Sequence, residues 1–222
     1  EANTVVEYSL SPLFRRSYST IFKAIDESKL KEKLLAEQIV LYLPRPRQWP
    51  FWLLMVDVTP NPRPYANTLE DRGMVYQPEV VKGKLPVTIG HEYSTVAVGL
   101  EKEAGLTSSW LVPLLTQRVE SRADKEMVGA EQIERLLQDN RFPFGRDLTV
   151  EVGDTSYSKP AYLHSHRKFP NLVTIARVHS NRVFHHQYVP TEEEARHPNR
   201  GHPTWYGERF SLSDPQSWSE PD

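Results

Sequence analysis

The stretch that most restricts this chain is Phe51-Trp-Leu-Leu-Met-Val-Asp57-Val58, an apolar run held between Pro50 and Pro60. A helix has little room to start and stop between two prolines, so the run predicts a buried β-strand ended by a carboxylate. A second run, Asp147-Leu-Thr-Val-Glu-Val-Gly-Asp154, has the same form. Asp57 leads into Thr59-Pro-Asn-Pro-Arg-Pro64, whose three prolines predict a stiff, extended loop.

The remaining elements follow from periodicity. Residues 1–43 read as helical, with Val5, Val6, Leu10, Leu13 and Phe14, then Ile21, Phe22 and Ile25, then Leu30, Leu34, Leu35 and Ile39 at helical spacing. Pro44-Arg-Pro-Arg-Gln-Trp-Pro50 ends that pattern and predicts a linker. Residues 65–86 look irregular. Val87–Leu100 and Trp110–Val119 predict two long strands joined by a polar turn at Glu101–Gly105. Asp124–Gln138 predicts an amphipathic helix with Met127, Val128, Ile133, Leu136 and Leu137 inward and Asp124 as its cap. Ser156–Lys168 predicts a helix, with Pro160 near its first turn. Asn171–Val178 predicts a strand, continued or paired by Arg182-Val-Phe184, and a short strand is expected near Arg209–Leu212.

Three strands, a helix, a strand, a helix and a strand imply an α/β fold: a mixed sheet built from a three-strand meander, then alternating helices and strands. In that topology the strand after the crossover helix returns beside the first. The expected divisions are a helical segment and linker at 1–49, a sheet-and-helix core at 50–180, and a segment with a polar tail at 181–222.

Composition removes several classes. The longest apolar run is six residues, Phe51 to Val56, far below the roughly 20 a membrane-spanning helix needs. Without cysteine there is no disulfide framework, thiolate zinc site, iron–sulfur cluster or thiol nucleophile. No Gly-rich phosphate loop, G-x-S-x-G elbow or H-E-x-x-H occurs. No signal segment opens the chain, and the expected location is the cytoplasm. The first residue is Glu1, so the natural start is expected upstream. The net charge is −2, yet residues 156–209 hold eight Lys/Arg against four Asp/Glu, and seven of the eight histidines. That basic, His-rich third suits an anionic partner or an ordinary charged surface.

Carboxylates presented from adjacent strand ends are a rigid way to hold divalent cations. A pair of such ions serves phosphodiester chemistry. The alternative for Asp57 and Asp154 is a turn or cap, since Asp-x-Thr-Pro and Gly-Asp-Thr are ordinary turn and cap sequences. His164-Ser-His166 and His185-His186 admit zinc with Asp154, although their spacing matches no usual zinc pattern.

Val56-Asp-Val-Thr-Pro-Asn-Pro-Arg-Pro-Tyr-Ala66 and Val152-Gly-Asp-Thr-Ser-Tyr-Ser-Lys-Pro-Ala-Tyr-Leu163 resemble bacterial insertion-sequence transposases of the DDE, RNase H-like type. The resemblance is to the cut-and-paste kind with a β-strand insertion, IS701-like elements foremost. It extends through Leu69-Glu-Asp-Arg72, Thr88-Ile-Gly-His-Glu-Tyr-Ser94, Val128-Gly-Ala-Glu-Gln-Ile133, Ala176-Arg-Val-His-Ser-Asn-Arg-Val183 and Gly201-His-Pro-Thr-Trp-Tyr-Gly-Glu-Arg-Phe210. It implies an RNase H-like catalytic core at 50–180, the start of a β-strand insertion at 181–222, Asp57 and Asp154 as catalytic metal ligands, and two Mg²⁺ (or Mn²⁺) ions. It also implies transposon-end and target DNA as partners, a homodimer on DNA, and a bacterial nucleoid location.

Family members also use a Glu within Y-x2-R-x3-E-x6-K. Tyr206 and Arg209 match its first two positions, but position 213 is Ser, so the third carboxylate is expected to be missing from this chain. Glu134 on the first core helix, or Glu92 on the second strand, is the substitute to examine. Lys159, Arg177, His179, Arg182 and Arg209 are expected on DNA phosphates, and Trp205 and Tyr206 on a splayed base. The implied activity is metal-dependent strand cleavage and transfer. The alternative is a remnant that binds DNA or a full-length transposase without cutting.

Overall fold

The computed structural model describes residues 10, 12, 15, 17–29, 31–77, 86–102, 110–192 and 205–218. Two helices, α1 (Tyr18–Glu27) and α2 (Glu32–Tyr42), precede the sheet. The expected helical residues Val5, Val6, Leu13, Phe14 and Leu30 lie outside the described residues, as does most of the Glu101–Gly105 turn.

The main sheet has six strands: β1 (Trp52–Pro62), β2 (Gly73–Tyr76), β3 (Val87–Gly99), β4 (Leu111–Val119), β5 (Thr149–Gly153) and β6 (Leu172–Ala176). β3 runs antiparallel to β1, and its far edge is shared end to end by β2 and β4. The crossover helix α3 (Lys125–Gln138) then returns the chain to β5, which lies parallel to β1 on its open side. A 3₁₀ turn (Thr155–Ser158) and the short α4 (Pro160–His166) lead to β6, parallel to β5 at the sheet edge. This is the expected RNase H-like arrangement, with the strand after the crossover beside the first.

Two regions differ from expectation. β1 continues through Thr59–Pro62, where the prolines predict a loop. Its ladder with β5 stops at Val56, while its ladder with β3 runs on to Pro62. From Val58 onward one edge of β1 is therefore unpaired, and prolines are tolerated on such an edge. Within residues 65–86, Gly73–Tyr76 forms β2, because β3 is long enough to offer it a free edge beyond β4. Further on, β7 (Val183–His185) neither continues nor pairs with β6. It pairs with β8 (Arg209–Ser211) in a separate two-stranded sheet.

The core follows the strand alternation. Trp52, Leu54 and Val56 of β1 and Val96 and Val98 of β3 turn to one face. There they meet Ile133 and Leu136 of α3, Ala36 of α2, Phe144, Tyr157 and Tyr162. Each buried aliphatic or aromatic side chain of this kind contributes about 1.5–3 kcal/mol. Asp124 caps α3 as expected, accepting from the N–H of Glu126 at 3.1 Å and of Met127 at 3.2 Å. One polar pair is folded into this layer: Ser94 donates to Gln132 at 2.7 Å, and the Gln132 amide returns a bond to the Ser94 carbonyl at 3.1 Å.

Candidate functional site

β1 and β5 end their parallel ladder at the pair Val56–Gly153. The next residue on each strand is an aspartate, so Asp57 and Asp154 leave the ladder from adjacent strand ends. Alternation along β1 sends the Asp57 carboxylate to the face opposite Val56. Both aspartates are exposed. Asp154 also opens the 3₁₀ turn, accepting from the Ser156 N–H at 2.8 Å. Beside Asp57 on the sheet lie Thr95 and, across β3, Thr116, with their hydroxyls 3.2 Å apart.

Behind the pair sits Tyr157, 1% exposed. Its ring occupies the space a side chain at Gly153 would need: a Cβ there would stand 2.7 Å from the Tyr157 Cβ. Burial pushes the phenol upward in pKa, and the charges of Asp57, Asp154, Glu126 and Glu151 add to it. Its hydroxyl has no hydrogen-bond partner among the described residues.

Glu126 is the carboxylate that residue-by-residue reading passed over. It lies in the first turn of α3 and is 4% exposed. Lys159 reaches it at 2.7 Å and Asp124 at 3.9 Å. The hydrogen bond to Glu126 holds the Lys159 ammonium above the ordinary lysine range. Helical phase was the available signal, since Glu126 is in step with Gly129, Ala130 and Ile133 on the buried side. Glu134 stands two turns further along and is bound to Lys168 at 2.6 Å, which lowers its pKa. Glu92 is bound to Lys125 at 3.1 Å. Neither Glu134 nor Glu92 joins Asp57 and Asp154 in a group able to hold a metal ion; no such group of three His, Cys, Asp or Glu occurs among the described residues.

The basic residues divide. Arg177 follows β6, and its N–H donates to the Gly153 carbonyl at 3.3 Å, beside Asp154. The Arg182 guanidinium donates to Ser158 at 3.3 Å, and the N–H of the same residue to the His179 carbonyl at 3.0 Å. These three therefore sit on one loop near Asp154. Arg209 lies on β8 opposite His185, and Trp205 and Tyr206 are exposed just before it. His185 packs against Tyr206 with ring centroids 4.9 Å apart. His166 turns inward, its Nδ1 3.0 Å from Glu151, while His164, His185 and His186 are exposed.

The model for the family described as DDE superfamily endonuclease matches residues 1–222. The chain belongs to this family. No curated protein matches the chain. DDE superfamily endonucleases act on DNA and generally use divalent metals. The Asp57–Asp154 pair fits such an ion: both are hard oxygen donors, and Mg²⁺ is commonly held by one or two carboxylates together with substrate phosphates. Among the described residues, no helix of this endonuclease-family chain is long and apolar enough to cross a membrane.

Proposed function

We propose that this chain carries the metal-binding heart of an insertion-sequence DNA transposase, with Asp57 and Asp154 as its ligands. The observation that carries this reading is the side-by-side exit of the two aspartates from the β1–β5 ladder. Two Mg²⁺ or Mn²⁺ ions bound there would supply Lewis acidity for attack on, and departure from, a DNA phosphodiester. The residues do the rest. Asp57 and Asp154 offer exposed oxygens from rigid backbone, and Ser156 orients one of them. Arg177, His179 and Arg182 border Asp154 on one loop and would take the DNA phosphates that position the strand. Lys159, paired with Glu126, can add to them only by leaving that carboxylate. Arg209 extends the same basic character onto the β7–β8 sheet, and DNA would be engaged by two copies of the chain.

A second reading has its own support: the described residues bring no third acidic ligand to the pair. In that reading the chain binds DNA, or a full-length transposase, without cutting. One assay separates the two. Supercoiled plasmid and labelled duplex are incubated with the chain and Mg²⁺ or Mn²⁺. Nicking that Asp57→Asn and Asp154→Asn each remove supports the enzyme. Retention of DNA without nicking, unchanged in both variants, supports the binder. Nicking that survives both substitutions overturns the site.

A further inference from the structure

The helices α2, α3 and α4 cover one face of the main sheet: Ala36, Ile133, Leu136 and Tyr162 join one core cluster with Val56 and Val96. The other face carries Asp57, and its character changes at that residue. Before Asp57 the cross-strand rows are apolar: Leu53 beside Val150 and Val173, then Met55 beside Val152 and Ile175. From Asp57 onward they are polar. Asp57, Thr95 and Thr116 form one row, Thr59, Tyr93 and Arg118 the next, and Asn61 and His91 a third. Members of a row share a face because side chains alternate along each strand. The Thr95–Thr116 hydroxyl contact at 3.2 Å and the His91–Tyr93 ring contact at 6.4 Å agree with that placement. Among the described residues, Asp57 is the only carboxylate that β1, β3 and β4 place on this stretch. Glu92 is on the opposite face, bound to Lys125 of α3.

Two side chains of the polar rows are set for a ligand. Tyr93 is partly exposed, with the His91 ring edge-on to it at 76°. The His91 Nε2 is itself fixed 2.9 Å from the Glu70 carbonyl oxygen. Arg118 is exposed and 3.3 Å from Asp71. Asp71 also accepts from the Ser121 hydroxyl at 2.7 Å and N–H at 3.2 Å, so it keeps donors when Arg118 turns away. Exposed pairs of this kind are weak, so the release costs little.

We propose that this polar half of the sheet face is the track for an unpaired DNA strand next to the cleaved phosphate, with Tyr93 stacking on a base and Arg118 holding a phosphate. This rests on the aspartate-pair reading given above, which brings a phosphate to Asp57. A fixed aromatic ring suits a single strand of any sequence, since every base has a stacking face. Thr59, Asn61, Thr95 and Thr116 carry groups that bond sugar and phosphate oxygens. The apolar rows on the other side of Asp57 carry none, so the strand runs toward Tyr93 and not toward Ile175.

The test follows a fluorescein-labelled oligothymidine by anisotropy, without divalent ions and across a salt series. Tyr93→Val keeps a strand-forming residue and removes the ring. It should weaken binding by at least roughly 5-fold, while Tyr93→Phe should bind as wild type does. Arg118→Gln should flatten the slope of log affinity against log salt by about 0.7, the share of one single-strand phosphate. Thermal unfolding checks the fold of each variant; if Tyr93→Val does not fold, Arg118→Gln decides. Wild-type affinity in Tyr93→Val, an equal loss in Tyr93→Phe, or an unchanged slope in Arg118→Gln overturns the inference and leaves the aspartate pair intact. A wild-type chain that does not bind the strand also overturns it. Failure of the aspartate reading shows separately, as plasmid nicking that survives Asp57→Asn, and it removes the assignment of this track to the cleaved strand.

Discussion

Glu151 and Asp154 lie three residues apart around the end of β5 and have opposite fates. Glu151 is 0% exposed, on the face covered by α4. It accepts from the Tyr162 hydroxyl and from Thr174 at 3.2 Å, and it faces His166 at 3.0 Å. Asp154 is exposed beyond the last ladder pair, and among the described residues it accepts only from its own turn. The buried carboxylate has its lone pairs committed to holding β5, α4 and β6 together. The exposed one keeps oxygen free for a ligand. A carboxylate's identity says little about its job; the number of donors already on it says a great deal.

The sharpest way to break this contrast is substitution at the buried member. Glu151→Ala strips three partners of their acceptor and should cost about 3–5 kcal/mol in chemical denaturation. Asp154→Asn keeps the cap and should change stability by no more than about 0.5 kcal/mol while removing divalent-ion binding. If the two variants lose stability equally, Asp154 is a structural residue and the comparison collapses.

Next in size is Gly153→Ala. The added methyl meets the Tyr157 Cβ, an atom tied directly to backbone, so it cannot be relieved by a flexible side chain. Such overpacking should cost about 1–3 kcal/mol. Metal affinity should fall with it, since the displaced ring lies behind the aspartates. Loss of stability with unchanged Mn²⁺ affinity would separate the ring slot from the site.

The smallest effect concerns Lys159 and Glu126. Lys159 is half exposed, so the pair contributes only about 0.2–1 kcal/mol. The folded pKa of Lys159 lies above its unfolded value of about 10.4. Its contribution is therefore complete at neutral pH and fades as pH rises through the folded value. Urea midpoints of wild type and Lys159→Met, measured at rising pH, should differ at neutrality and converge in strong alkali. A gap that persists would mean the lysine stem, not its charge, is what packs against α3.

Much of this was legible in the residues. The Pro50–Pro60 bracket pointed to β1, the apolar alternation to the β3–β4 hairpin, and Asp124 to the start of α3. Asp57 and Asp154 stood out because each closes an apolar run. What was not legible depended on neighbours distant in sequence. β2 has no strong pattern of its own and exists because β3 offers it an edge. Pro60 and Pro62 can stay in β1 because β5 has already ended beside it. Glu134 drew attention as a helix carboxylate, whereas packing turned Glu126 toward the buried side and left Glu134 with Lys168.

The sequence by itself determined the kinds of element, their order and the two aspartates at strand ends, because periodicity, prolines and caps act within a few residues. Only the tertiary structure decided which carboxylates are spent and which are free. That choice depends on which face α4 covers, where the parallel ladder stops, and which ring fills the space over Gly153. Each of these is set by contacts between segments far apart in the chain.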